Sequence, residues 1–340
     1  MNAQVGDAPY FVSNQAAETV FDMDEAIRAL QRAYAGPVTQ ANSPSRTNVR
    51  GEGLDFRVLP AAPAGSRYFG AKMMGGTFQP GGAGFKGAGY VIVLFDREKS
   101  EIGAFVDGKF ITGYRTAATS AAALDRLTAA EPIRLGVLGS GFEAATHVRA
   151  FARVRKISEI TVHSPTRERR AAFARATTEE LGIPCVAAES AEAAREYFRE
   201  SADVVLTAAR SRGEKPILFG DDLRPGTTVV SIGSTAPHQR ELDASVIERC
   251  DVIVCDDVNE VTEETGDLIA ATKAGVSFRD KCVSLHDLMS GEAQAAVDRA
   301  GIRMFKSVGG GLQDVVTAGI VLDRAVAAGL AVPLPVHFDH

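Results

Sequence analysis

The chain has 340 residues, 45% hydrophobic and 24% charged, which suits two globular domains of ordinary composition. Its 37 basic and 43 acidic residues leave a formal net charge of -6 with no basic block, which argues against a nucleic-acid partner. No apolar run approaches the ~20 residues of a membrane span, and the opening MNAQVGDAPYFVSNQ has neither region of a signal peptide, so a cytoplasmic location is expected.

The first element in chain order is FDMDEAIRALQRAYAG, predicted as a helix: Asp22 and Glu25 have capping-box spacing, and Ile27, Leu30 and Tyr34 share a face. The polar stretch VTQANSPSRTNVRGEG predicts a loop or an edge strand. Strand-like runs follow at FRVLPA, YFGAKMM, GYVIVLF and EIGAFV. Between the second and third of these, GGTFQPGGAGFKGAG is expected to be irregular because of its glycines. Lys72 interrupts an apolar strand, where a charge needs a reason.

The alanine-rich RTAATSAAALDRL predicts a helix. Beyond it, apolar strand candidates (IRLGVLG, EITVHS, ADVVLTAA, TTVVSIGS, CDVIVCD and CVSLHDL) alternate with helical segments such as TRERRAAFARATTEELG. This alternation predicts a doubly wound parallel sheet. The final GLQDVVTAGIVLDRAVAAGL predicts an amphipathic helix with Leu312, Val315, Val316, Ile320 and Val326 aligned, returning to the first domain. The four cysteines, Cys185, Cys250, Cys255 and Cys282, contain no CxxC pair and read as reduced thiols. The histidines form no HExxH or HxH pattern, so no metal site is expected.

The turn Gly139-x-Gly141-x-x-Ala144 follows a strand and opens a helix. Glycine at 139 permits the tight turn, glycine at 141 lets the backbone approach a pyrophosphate, and the small Ala144 allows close helix–strand packing. The helix N-terminus offers its N–H groups to the phosphates. Ser140, Phe142 and Glu143 fall in the same cofactor-binding turn, with Glu143 expected to point outward. Where an NAD site carries Asp or Glu at the end of the next strand, TVHSPTRERR offers His163, Ser164 and Thr166, and no carboxylate before Glu168. With Arg167, Arg169 and Arg170 following, this segment predicts NADPH as cofactor, with NADH possible.

YFGAKMMGG, GYVIVLFD, GYRTAATSAAA, the glycine turn, SIGSTAPHQRELD and FKSVGGGLQD occur in an order and spacing that resembles the ornithine cyclodeaminase/mu-crystallin family, from about Arg46 to Asp314. The resemblance implies an α/β fold: a Rossmann doubly wound domain (121–312) inserted in a second α+β domain (1–120 plus 313–340). That second domain would bind substrate and form a homodimer through its sheet. The resemblance also implies a small amino- or imino-acid substrate whose carboxylate is bound by Arg46, Lys72 and Arg115, with Arg50 an open alternative to Arg46. Convergent cations suit such an anchor. Arg115 would also lie near the cofactor. Thr207, Ile232, Ser307 and Val308 would line the nicotinamide half of the site, Val308 also facing substrate.

Cyclodeaminases of this family carry an aspartate two residues before the loop proline in SIGSTAPHQREL. Here that position is Thr235, which cannot cycle a proton near neutral pH. Ammonia-releasing cyclisation of ornithine is therefore disfavoured, and the ketimine-reductase branch is favoured. The expected reaction is reduction of a 2-imino acid such as Δ1-pyrroline-2-carboxylate or Δ1-piperideine-2-carboxylate to an L-amino acid. Lys72 and Thr235 are the catalytic candidates, as proton source and as hydrogen-bond partner of the imine nitrogen, with a bound water as another proton source. The competing readings are an amino-acid dehydrogenase of the alanine or opine type, a cyclodeaminase, and a ligand-binding protein without catalysis. His238 reads as a loop residue, and His147 and His286 as packing or capping residues.

Overall fold

The computed structural model describes residues 8–79, 85–129, 131–209, 215–336 and 338. In chain order the N-terminal segment contains β1 (Tyr10–Val12), α1 (Asn14–Val20), α2 (Met23–Ala35), β2 (Thr47–Gly51), β3 (Leu54–Ala61), β4 (Tyr68–Phe78), β5 (Phe85–Asp96) and β6 (Glu101–Asp107). Helix α3 (Gly108–Leu127) leads into β7 (Ile133–Leu138), α4 (Phe142–Val154), β8 (Ile157–His163), α5 (Arg167–Leu181), β9 (Cys185–Ala187), α6 (Ala191–Glu200), β10 (Val204–Thr207) and β11 (Thr228–Ser231). There follow α7 (Ala244–Arg249), β12 (Val252–Cys255), α8 (Val258–Glu264), α9 (Gly266–Lys273), β13 (Cys282–Ser284), α10 (Leu285–Ser290), α11 (Gln294–Arg299) and β14 (Arg303–Lys306). The chain closes with α12 (Gly311–Ala327) and β15 (Val332–Pro333). Two units result: Met1–Arg115 with Gly310–His340, and Thr116–Gly309.

The first unit is built on a seven-stranded sheet of order β15-β1-β6-β5-β4-β3-β2, in which β2 is an edge strand. Alternation along the strands turns Leu59, Lys72, Ile92, Leu94, Ala104 and Val106 to one face, all of them buried. Helix α12 packs on that face with α1 and α2 against it. The other face carries cross-strand rows of apolar residues. One row is Val58–Met73–Val91, and the other is Pro60–Ala71–Val93–Phe105–Phe11.

The glycine-rich stretch expected to be irregular is strand on both sides: β4 runs to Phe78 and β5 begins at Phe85, with Gly75 opposite Gly89 and Gly76 opposite Ala88. Ladder hydrogen bonds need only backbone, and the partner strands supply them. The centre of that stretch, 80–84, lies outside the described residues. Helix α12 buries Leu312, Val315, Ala318, Val321, Leu322 and Ala325 together with Gln313, Asp314 and Thr317. Val326 is exposed, and Val316 and Ile320 are only partly buried. The expected stripe is thus rotated, because the buried face carries a polar group that an apolar pattern ignores.

The second unit has an all-parallel sheet of order β13-β12-β14-β11-β10-β7-β8-β9. β10, β11 and β12 are buried at every position, as befits strands covered on both faces. The direction of winding reverses between β7 and β10, which defines the switch point where ligands of such sheets bind. The run CVSLHDL is strand only at Cys282–Ser284. Ser284 then caps α10, accepting from Asp287 N while Asp287 accepts from Ser284 N.

Candidate active site

In the first unit, β4 delivers Lys72 to the buried face of the sheet, and α12 delivers Asp314 opposite it. Lys72 Nζ lies 2.7 Å from Asp314 Oδ2, with the two side chains 4% and 0% exposed. Arg115, near the start of α3, donates from Nε to Asp314 Oδ1 at 2.8 Å and from a terminal nitrogen to Gln313 Oε1 at 2.6 Å. Gln313 Nε2 donates in turn to the Tyr34 hydroxyl on α2 at 3.0 Å. Gly311 permits this approach of helix to sheet: a Cβ there would stand 2.4 Å from the Pro60 carbonyl oxygen.

Burial pushes the Lys72 ammonium down to about 8, opposed by Asp314 and reinforced by the positive charges of Arg115 and Arg46. Arg46 is therefore the loop arginine whose charge reaches Lys72. Arg50 instead lies against Asp55, 3.6 Å from its carboxylate. Asp314 is the functional residue that the sequence reading missed. Its QD motif was visible, but no pattern joined it to Lys72.

In the second unit, Gly139 ends β7 with φ +120°, and a Cβ there would stand 2.5 Å from the Ala208 carbonyl oxygen. Only glycine fits. Gly141 caps α4 without a side-chain hydrogen bond, and a Cβ on it would meet nothing within 4 Å. An open glycine facing a helix N-terminus is the cradle a pyrophosphate requires, so these residues fit a dinucleotide. Ser140 and Ser164 hydroxyls are hydrogen-bonded at 2.8 Å, tying the turn to the end of β8. Thr166 and Arg167 are exposed at the start of α5, and so is Arg169. Phe142 is also exposed.

One expectation is corrected. Arg170 is buried and donates to the Ser164 and Glu189 carbonyls, so its guanidinium is part of the scaffold. Glu143 lies along the helix surface, its Oε2 4.0 Å from His147 Nδ1 one turn on. His147 packs as expected, bonded to Glu143 O and to Ser120 Oγ, and burial pushes it down to about 4. The Thr207 hydroxyl is fully buried and donates to Glu241 Oε2 at 3.0 Å. Ser307 is buried and donates to Asp256 Oδ2 at 2.6 Å, while the Val308 and Gly309 amides donate to the same carboxylate. Ile232 is buried after β11. Thr235 is half-buried, its amide donating to Gln239 Oε1 at 3.0 Å.

A Rossmann-type unit with a glycine-turn nucleotide cradle, joined in one chain to a unit with a buried lysine–aspartate–arginine cluster, defines a dinucleotide-dependent enzyme class. The profile of the ornithine cyclodeaminase/mu-crystallin family matches residues 11–329, and the chain belongs to that family. It is 28% identical over 276 residues to the Δ1-pyrroline-2-carboxylate reductase of Bacillus cereus, covering 80% of this chain and 82% of the relative. It is 29% identical over 232 residues to the ketimine reductase mu-crystallin of Rattus norvegicus, covering 68% of each. The structure of Thermococcus litoralis Δ1-pyrroline-2-carboxylate reductase in complex with NADH and L-proline superposes with a TM-score of 0.83 at 26% identity, over 96% of this chain and 100% of that one.

Proposed function

We propose that this protein, an NAD(P)H-dependent oxidoreductase acting on C=N bonds, reduces a 2-imino acid to the corresponding L-amino acid. Cyclic ketimines such as Δ1-pyrroline-2-carboxylate and Δ1-piperideine-2-carboxylate are the leading substrates, and open-chain imino acids are the next class. The observation that carries this reading is the Lys72 cluster. Of the charges that act on Lys72, Asp314 is negative and both Arg115 and Arg46 are positive. Lys72 and Arg115 are buried cations and Arg46 adds its charge to Lys72, and cations that converge in this way suit the carboxylate of a substrate.

When bound, the reduced nicotinamide supplies the hydride that the imine carbon accepts. The chain's own residues do the rest. Arg46, Arg115 and Lys72 hold the carboxylate and so fix the orientation of the C=N bond. Lys72 keeps a proton at Nζ below about pH 8 and is assigned as donor to the imine nitrogen. Asp314, hydrogen-bonded to Arg115 and ion-paired with Lys72, holds the two cations in a fixed relation. Thr235 is assigned a second hydrogen bond to the substrate nitrogen. A hydroxyl there supplies no carboxylate for a second ammonium, which supports a reductase over a cyclodeaminase.

The Gly139–Ser140–Gly141 turn and the N-terminus of α4 would hold the pyrophosphate. Ser164, Thr166 and Arg167 would meet the adenosine ribose. The segment from His163 to Arg167 holds no carboxylate, and Arg167 and Arg169 are exposed beside it, which supports NADPH over NADH. The apolar outer face of the seven-stranded sheet, with Phe56 41% exposed and Leu54 54% exposed, supports homodimer formation through that sheet.

The test follows NADPH oxidation at 340 nm with the two cyclic ketimines and with pyruvate plus ammonia or methylamine, beside an ornithine-only arm assayed for ammonia. Turnover of an imino acid with NADPH preferred, and no ammonia from ornithine, is the expected result. Ammonia and proline from ornithine would replace this reading with a cyclodeaminase.

A further inference from the structure

Three fully buried charges, Glu241, Asp267 and Lys306, lie at the carboxyl end of the parallel sheet. Glu241 Oε2 accepts from Thr207 Oγ1 at 3.0 Å and from the Gly233 amide at 2.8 Å, and Oε1 accepts from the Ala209 amide. Asp267 Oδ1 accepts from the Glu241 and Leu242 amides at 2.8 and 2.9 Å. Its Oδ2 accepts from Lys306 Nζ at 2.9 Å, and Lys306 also donates to Ser231 Oγ at 2.9 Å. One carboxylate thus clasps the chain leaving β10 and the chain leaving β11, and a second anchors the clasp to the end of β14.

The clasp is tight. A Cβ on Gly233 would stand 2.1 Å from Glu241 Oε1, so the glycine is there to admit the carboxylate. Buried ions cost several kcal/mol each to desolvate, and an apolar filling of similar volume often stabilises a fold at least as well. What a saturated polar network adds is a fixed geometry between the groups it joins. In a doubly wound sheet the dinucleotide spans the switch point, one half over each set of strands. The glycine turn belongs to β7, on the side of β8 and β9. The clasped loops belong to β10 and β11, on the other side.

We propose that Glu241 is a positioning residue for the nicotinamide half of the cofactor, holding the backbone at Ala209, just after β10, and at Gly233, just after β11, in register; the proposal rests on the NAD(P)H-dependent reading. Glu241→Gln is the sharp variant. Each carboxylate oxygen accepts from a backbone N–H, so the amide nitrogen of glutamine would meet a donor in either orientation.

The experiment measures binding to the full-length wild type and E241Q of NADP+ and of 2′,5′-ADP, an adenosine fragment without nicotinamide, together with kcat and far-UV circular dichroism. E241Q is expected to bind NADP+ about tenfold more weakly and to lose about a hundredfold in kcat, the scale of a misplaced reacting group. Its affinity for 2′,5′-ADP stays within twofold of wild type. Equal weakening for both ligands, or no change in either, overturns the proposal. If E241Q does not fold, Thr207→Val and Thr207→Ser carry the test. The valine removes one donor to Glu241 and should shift NADP+ alone, the serine should restore it, and equal behaviour of the two variants overturns the proposal. A wild type that binds NAD+ in place of NADP+ carries the same comparison with NAD+ and 5′-ADP, and failure to bind NADP+, NAD+ and both fragments would instead reject the dinucleotide reading itself, and the proposal with it.

Discussion

Lys72 sits where two opposing influences meet. Burial and two guanidiniums press its proton off, and Asp314 keeps it on. The protonated form is the active one in the proposed mechanism, so kcat/KM should hold below about pH 8 and fall as pH rises through that value. Replacing Asp314 with Asn removes the influence that raises Lys72, so the same limb should move to lower pH. Stopped-flow or steady-state pH profiles of the two proteins check this, and a limb that stays in place would show that Lys72 is not the titrating group. Lys72→Met should lower kcat by about 10²–10⁴, the range for loss of a positioned proton donor. Asp314→Asn should also cost about 3–5 kcal/mol of stability, since it strands a buried ammonium, and thermal unfolding reads that cost. Lysine 72 was legible in the sequence because a charge inside YFGAKMM stands out. Asp314 was not, because a polar residue at the start of a helix is unremarkable and its partner is far away in the chain. Glu241 and Lys306 were hidden for a similar reason: nothing in RELD or FKSV marks these charges as buried until the fold surrounds them.

Glycines decide what the elements can approach. Gly139→Ala would place a side chain at φ +120° and against the Ala208 carbonyl, a strain of about 1–3 kcal/mol with loss of the phosphate turn. The expected outcome is loss of dinucleotide binding, read by fluorescence titration of NADPH. Gly311→Ala acts on the other unit by pushing α12 from β3, and so should weaken the Asp314–Lys72 pair and lower kcat together with the melting temperature. Most of the parallel strands were easy to read because they are short apolar blocks that two covering layers require, whereas the brief β9 and the charge-flanked β14 (RMFK) were not singled out. Both ends of the 75–89 stretch were misread because glycine content signals freedom, whereas antiparallel neighbours had already fixed the backbone. The buried stripe of α12 was misread because apolar periodicity cannot score Gln313, Asp314 and Thr317, which face inward to meet other polar groups.

At the scale of the whole molecule, the proposed homodimer would form through the outer sheet face. Phe56→Lys, at an exposed position of an edge-side strand, should shift the protein toward monomer in sedimentation velocity while leaving the near-UV spectrum of the subunit in place. An unchanged sedimentation coefficient would move the interface elsewhere. The alternation of strands and helices made the class of fold readable across the middle of the sequence. The extent of the first unit was harder to read from pattern alone, because its closing helix arrives from the far end of the chain.

That late arrival has a consequence for how the protein is made. Arg115 and its counter-ion Asp314 are separated by 199 residues. At ribosomal speeds of roughly 5–20 residues per second, the interval between them is roughly 10–40 s. Throughout that time the nascent sheet holds Lys72 and Arg115 without the aspartate, and its apolar face without α12, while the parallel-sheet unit is itself being made, its inner strand β14 arriving just before α12. Completion of the cationic cluster is therefore among the last events of synthesis, and a nascent chain stalled before α12 would carry a nucleotide-binding unit with no assembled cluster beside Lys72.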